Sequence, residues 1–189
     1  MVNIAIFASG AGSNAEKIIQ YFKGNKAINI GLIVCNKPGA GVLDIAANHG
    51  IDTLLIEKLR FSSPESYLAE LKSHHINFIV LAGFLWKMPA SIVEVYPQRI
   101  INIHPALLPN YGGKGMYGMR VHQAVLAAGE KESGITIHYV NEHYDEGNII
   151  FQAKCTIEAG DTPEILAQKV HVLEHKYFPE VIGQLIMGN

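Results

Sequence analysis

Cysteine, tryptophan and net charge are all scarce in this chain: its 189 residues include 2 Cys and 1 Trp, and 15 Lys+Arg against 17 Asp+Glu leave a formal net charge of −2. Cys35 and Cys155 sit far apart in apolar stretches, with no C-x-x-C and no zinc spacing. That pattern excludes a disulfide scaffold and reads as two buried free thiols of a reducing compartment. The weak charge, spread evenly along the chain, lacks the cationic footprint of a phosphate-backbone binder, so a small solute is the expected partner and nucleic acid is not. Long apolar runs are missing too. The longest, residues 78–86, contains a glycine and stops at Lys87, well short of the ~18 residues a membrane-spanning helix requires. No membrane association is therefore expected. Residues 2–7 carry no cationic leader and run directly into a glycine-rich loop, the pattern of a first strand rather than a secretion signal, which implies a cytoplasmic protein.

What is present is a hydrophobic content of 49%, enough for a sizeable core in one domain, residues 1–189. Short β-rich apolar runs at residues 4–7, 28–34, 53–56, 78–82 and 100–103 alternate with helix-like segments. Parallel pairing needs such spacers, because a crossover must return the chain to the same end of the sheet. Residues 134–140 and 148–156 are also strand-like and are separated by the polar loop 141–147, so this part is expected to be antiparallel or mixed. The fold class is thus α/β, a doubly wound, mostly parallel mixed sheet. Ser13 and Glu16 form a capping-box signature for the first helix, and Pro64 is expected to open another through Tyr67, Leu68 and Leu71. Leu166, Val170, Leu173, Tyr177, Val181 and Leu185 make an apolar stripe in a last helix that Pro179 should kink or split.

Between the first strand and first helix lies Ser9-Gly10-Ala11-Gly12-Ser13-Asn14. Glycines let backbone approach a ligand, and unpaired N–H groups at a helix start attract an anion, so a phosphate is expected here. Gly10 to Ala15 also satisfies G-x-G-x-x-A, and a dinucleotide-binding module using the Gly10 and Gly12 loop remains a rival. Against it, the second strand runs into Asn36-Lys37-Pro38 instead of an acid for ribose hydroxyls. Gly113-Lys114-Gly115 lacks the Ser or Thr of a Walker loop.

Ile101-Asn102-Ile103-His104-Pro105 is the most informative stretch. Period two puts Asn102 and His104 on one face, and Pro105 ends the strand with both at its carboxyl edge, where α/β sheets gather ligands. An amide beside an imidazole can donate to an oxygen that becomes negative, the requirement of acyl transfer. Asp145, in the polar loop after Thr136 and His138, could hold His104 protonated and relay a proton. His171 to His175 reads H-x-x-E-H, a zinc-peptidase pattern, but only Glu180 follows as a further acidic ligand and no His or Cys does. His74 and His75 read as partners of a helix C-terminus. Residues 112–118 are too glycine-rich for an element interior and make either a passive loop or a mobile cover.

Ser9-Gly10-x-Gly12-Ser13-Asn14, Leu81-Ala82-Gly83-Phe84, Asn102-x-His104-Pro105-x-Leu107-Leu108-Pro109 and Asp145-x-Gly147, in this order, resemble the folate-dependent formyltransferases, and within them the phosphoribosylglycinamide formyltransferases. The resemblance spans nearly the whole chain. It implies a Rossmann-like formyltransferase fold and transfer of a formyl group from 10-formyltetrahydrofolate to glycinamide ribonucleotide in purine synthesis, with no metal and no ATP. Carried over, Asn102 and His104 would activate the formyl group with Asp145 in support. Gly12, Ser13 and Asn14 would cradle the phosphate, and Glu174 would contact the ribose. Leu85, Trp86, Lys87, Met88, Asn102 and Asn141 would line the folate pocket. Other folate-dependent formyltransferases and formyltetrahydrofolate hydrolases share Asn-x-His-Pro and remain alternatives. The chain departs from well-known members at Pro64, where many have arginine, and at Trp86-Lys87. Its 112–118 loop is also longer.

Overall fold

A computed structural model describes residues 1–188. Its elements, in chain order, are β1 (Val2–Ala8), α1 (Ser13–Tyr21), β2 (Ile28–Cys35), α2 (Gly41–His49), β3 (Thr53–Leu55), α3 (Lys58–Phe61), α4 (Leu68–Ser73), β4 (Phe78–Leu81), α5 (Ala90–Val95), β5 (Ile100–His104), α6 (Met119–Ala127), β6 (Glu132–Tyr139), β7 (Ile149–Thr156) and α7 (Pro163–Met187). The strands form one seven-stranded sheet in the order β3-β2-β1-β4-β5-β6-β7. The first five run parallel, and β6 and β7 add antiparallel strands at one edge.

Alternation along the strands feeds two apolar layers. In β1, Ile4, Ile6 and Ala8 face a core shared with α1, α2, α6 and α7, while Ala5 and Phe7 face a second one under α3, α4 and α5. Winding reverses between β1 and β4, so the loops leaving these strands diverge to opposite faces and open a crevice at their carboxyl ends, the usual ligand site of such sheets. Ser9 braces the crevice: its N–H donates to the Gly83 carbonyl at 3.2 Å, and its Oγ accepts from the Leu85 N–H at 3.0 Å.

Several local expectations change. The N-cap of α1 is Gly12, not Ser13, and no side chain caps the helix; Glu16 turns instead toward Gln20 and His49. Pro64 opens no helix, because serines tie residues 60–66 into a turn. Ser63 Oγ donates to the Arg60 carbonyl and Ser66 Oγ to that of Phe61, and α4 starts only at Leu68. Pro179 neither ends nor divides α7. Its burial and that of Phe178, Val181 and Ile182 against the sheet hold the helix through the missing N–H. Cys35 is buried, but Cys155 is only half-buried because it lies on the edge strand β7. His74 does cap the end of α4, and its Nδ1 lies 3.6 Å from Asp52. No described helix is long and apolar enough to cross a membrane.

Candidate active site

The carboxyl ends of β1, β4 and β5 open into a cavity of about 800 Å³ that reaches from the start of α1 to the loop after β6. At one end, β5 delivers Asn102 and His104, the latter only 3% exposed. Asp145 approaches from the loop between β6 and β7, where its φ of 57° is left-handed. Gly147 is what lets that loop pass close: a Cβ there would lie 1.7 Å from the Tyr139 carbonyl oxygen. Asp145 Oδ2 accepts the Gly113 N–H at 2.9 Å and stands 3.5 Å from His104 Nδ1, while Oδ1 is 3.4 Å from Asn102 Nδ2. The three sequence-predicted reacting residues therefore meet.

The hydrogen-bond pattern fixes which atoms are available. His104 Nε2 lies 2.7 Å from the Tyr111 carbonyl, an acceptor only, so this nitrogen carries hydrogen. In a neutral ring Nδ1 is then a lone pair facing Asp145. His138 Nδ1 likewise donates to the Tyr139 carbonyl at 2.8 Å, which leaves Nε2 to accept from Asn102 Nδ2 at 3.1 Å. That contact fixes the orientation of the Asn102 amide. His138 is not among the residues the sequence marks as candidates for the site. Antiparallel register sets it opposite Asn102, and period-two spacing was its one available signal.

Electrostatics revise one expectation. Burial pushes the His104 imidazole below the ordinary histidine range, and the charge of Asp145 together with the Tyr111 carbonyl recovers only part of that shift. That direction favours the neutral ring over the protonated one, because removing a cation from water outweighs one neighbouring carboxylate. Burial would raise the Asp145 carboxyl. The neighbouring imidazoles of His138 and His104, 3.6 and 3.5 Å away, and the Gly113 N–H outweigh it and hold the group below the usual carboxylate range.

The other end is built on α1. Its first intrahelical bond runs from the Glu16 N–H to the Gly12 carbonyl, so the N–H groups of Ser13, Asn14 and Ala15 have no acceptor within the helix and present a partial positive charge. Gly12 is required twice over. Its φ is 82°, and a Cβ would stand 2.8 Å from that of Val42. Asn14 Nδ2 donates to Glu174 Oε2 at 2.9 Å, tying α1 to α7. Glu174 is 5% exposed and also bonds His171 Nδ1 at 2.7 Å. That bond pushes the His171 ring above the ordinary histidine range and occupies two members of the H-x-x-E-H stretch. Buried beside them, Asn14 Oδ1 and His122 Nδ1 have no partner among the described residues.

Between the two ends, Leu85, Trp86, Lys87, Met88 and Asn141 all line the cavity. Met88 is buried, and Trp86 packs on Phe61 and Phe84 with ring centroids 5.8 and 6.2 Å away. Lys58 Nζ stands 4.6 Å over the indole, a cation–π contact. Asn141 is partly spent on a local turn, its Oδ1 accepting the His143 N–H at 2.8 Å. The 112–118 loop closes the remaining side.

Comparison with known proteins identifies a family and several relatives. A family model described as Formyl transferase matches residues 2–182. The chain is 43% identical over 188 residues to the chloroplastic phosphoribosylglycinamide formyltransferase of Arabidopsis thaliana, covering 96% of this chain and 64% of that protein. It is 37% identical over 191 residues to the phosphoribosylglycinamide formyltransferase of Bacillus subtilis (strain 168), covering 98% and 95%. It thus spans 60–64% of the length of the plant relatives and nearly all of the bacterial one. Among solved structures, the phosphoribosylglycinamide formyltransferase of Bacillus halodurans superposes with a TM-score of 0.88 at 36% identity, covering 97% of this chain and 95% of that one. Glycinamide ribonucleotide transformylase 1 of Geobacillus kaustophilus gives 0.89 at 33%, covering 98% and 99%.

Proposed function

Since the chain belongs to the formyl transferase family, we propose that it transfers the formyl group of 10-formyltetrahydrofolate to the primary amine of glycinamide ribonucleotide. The observation that supports this reading best is the polarity of one cavity. An amide, an imidazole and an acid converge at one end, and the open start of α1 with Glu174 stands at the other. The proposed acceptor has the same polarity, with an amine at one end, a phosphate at the other and a ribose between them.

In this reading the backbone N–H groups of Gly12, Ser13 and Asn14 hold the phosphate, since an anion is stabilised at a helix start. Glu174 accepts from the ribose hydroxyls. The segment from Leu85 to Met88 and Asn141 wall the pterin ring. The amine attacks the formyl carbon and the carbonyl electron pair moves onto oxygen. Asn102 Nδ2 donates to that oxygen, exchanging its long 3.4 Å contact with Asp145 while the 3.1 Å bond to His138 persists. His104 Nδ1, a lone pair in the resting enzyme, takes the proton shed by the attacking nitrogen. Asp145 stabilises the imidazolium so formed, and the positive charge of that imidazolium stabilises the oxyanion. His104 passes the proton to the folate nitrogen as the carbon–nitrogen bond breaks, and the ring returns to its neutral state. No step in this scheme involves a metal, ATP or nucleic acid.

The decisive experiment offers the purified protein 10-formyltetrahydrofolate with glycinamide ribonucleotide, with charged initiator tRNA, or with water alone. Formylglycinamide ribonucleotide is the expected product. Formylated tRNA, or free formate released without an acceptor, would move the chain to another branch of the family.

A further inference from the structure

One buried ring in the cavity wall has no part in the transfer scheme. His122 lies near the start of α6, with Val121 and Val125 turned into the core beside it, and α6 packs against α7. The ring is 4% exposed and lines the cavity, yet its Nδ1 is sealed from solvent and meets no partner among the described residues. On α7, Ala167, His171 and Glu174, spaced four and three residues apart, form the stripe that borders the same space. Burial pushes the His122 imidazole below the ordinary histidine range, and the charges that act on it are those of Glu174, His171 and His104. The ring thus stands within electrostatic reach of both ends of the cavity. Asn14 Oδ1, on α1, is a second buried atom without a partner.

A neutral imidazole carries one hydrogen and one lone pair. Buried donors are left unpaired less often than acceptors, so the partnerless Nδ1 is the lone pair and the hydrogen sits on Nε2. The Glu174 carboxylate and Asn14 Oδ1, by contrast, only accept. A phosphate has no hydrogen to offer these acceptors, and an amine cation has no lone pair for the N–H. A hydroxyl satisfies both kinds at once. We infer that His122 is a specificity-determining residue for the acceptor, donating from Nε2 to the 2′-hydroxyl oxygen of its ribose while Glu174 takes that hydroxyl's hydrogen. The 2′ carbon adjoins the one that bears the glycinamide group, so its oxygen is the ribose hydroxyl nearer the reacting end, which matches a ring placed between Glu174 and His104. The inference rests on the proposed acceptor and adds to it the residue that reads one of its hydroxyls.

The test measures steady-state formyl transfer by the full chain to glycinamide ribonucleotide and to its 2′-deoxy and 3′-deoxy analogues, comparing wild type with His122→Leu, His122→Asn and His122→Gln. Wild type should prefer the natural acceptor to the 2′-deoxy analogue by about 100-fold or more in kcat/KM, since a site built to bond a hydroxyl keeps unpaired groups when it is missing. In His122→Leu, kcat/KM for the natural acceptor should fall about tenfold through KM, while that for the 2′-deoxy analogue stays within about twofold. The preference over the 3′-deoxy analogue should not change. His122→Gln, whose amide nitrogen reaches the position of Nε2, should restore most of the 2′ preference, and His122→Asn, whose amide falls short, should not. A 2′ preference that survives intact in both His122→Leu and His122→Asn overturns the inference, as does a change confined to the 3′-deoxy analogue. If His122→Leu does not fold, His122→Asn carries the same readout. A wild-type chain that formylates no glycinamide ribonucleotide removes the acceptor reading and this inference with it, whereas an unchanged preference in an active chain removes this inference alone.

Discussion

The two ends of the cavity are built in opposite ways. At the α1 end, Gly12, Ser13 and Asn14 are consecutive, and the groups proposed to meet the ligand are backbone N–H donors set by one strand-to-helix turn. At the reacting end, Asn102, His104, His138 and Asp145 come from β5, β6 and the loop beyond it, and every useful atom is a side-chain nitrogen or oxygen oriented by another residue. A local turn can bind, because it only has to point donors at an anion. Chemistry needs lone pairs and hydrogens assigned to particular atoms in a dry setting, and only convergence from several elements supplies that.

This contrast predicts that damage at the reacting end appears in kcat, whereas damage at the α1 end appears in acceptor KM or in stability. The largest effect is expected from His104→Ala and Asn102→Ala, each lowering kcat by about 10²–10³ while circular dichroism and the unfolding midpoint show a persisting fold. Wild-type turnover in a folded His104→Ala variant would sink the assignment.

Asp145→Asn comes next and separates charge from shape. The wild-type kcat profile should keep its activity below the ordinary histidine value of about 6.5, because burial depresses the pKa of His104 and the neutral ring is the active form. Asp145 is the strongest of the groups opposing that depression, so its neutralisation should move the acid limb to still lower pH while kcat drops. A limb that moves upward would contradict the proposed electrostatics. The same sign applies to folding. A histidine buried neutral contributes stability above its unfolded pKa, and that stability is lost as pH falls from there toward the folded value.

At the other end, Glu174→Ala removes a buried carboxylate that accepts from Asn14 and His171. Hydrogen bonds to charged groups are worth about 1.5–3 kcal/mol, so acceptor KM should rise roughly tenfold or more, with kcat changed much less and the KM for formyl-folate unaffected. The smallest effect on turnover is expected from Gly12→Ala. The left-handed φ costs about 1–2 kcal/mol in a residue with a Cβ, and the contact with Val42 adds to it. Denaturant unfolding should register the loss, together with a weaker hold on the acceptor.

Much of this was legible in the residues themselves. Strand runs separated by helical spacers announced a parallel sheet, and Asn102-x-His104-Pro105 announced two polar groups at its carboxyl edge, because strand periodicity and the prolyl ring act over a few residues. Expectations failed where local rules competed. The Ser13 and Glu16 pattern was overridden by a left-handed Gly12 packed against α2. The Pro64 helix start lost to a serine-tied turn. A split at Pro179 was not realised, and the α7 face beneath it is buried.

What the chain determined alone is therefore the class of fold, the glycine turn that leaves helix-start N–H groups open, and the placement of Asn102 and His104 together at a strand's carboxyl edge, all of which depend on neighbours within a few positions. Tertiary structure alone decided that Asp145 stands 3.5 Å from His104, that His138 orients Asn102, and that burial pushes the His104 imidazole below the ordinary histidine range. These depend on register between antiparallel strands and on how completely water is excluded from a cavity. Both are properties of the packed sheet, which no short stretch of sequence encodes.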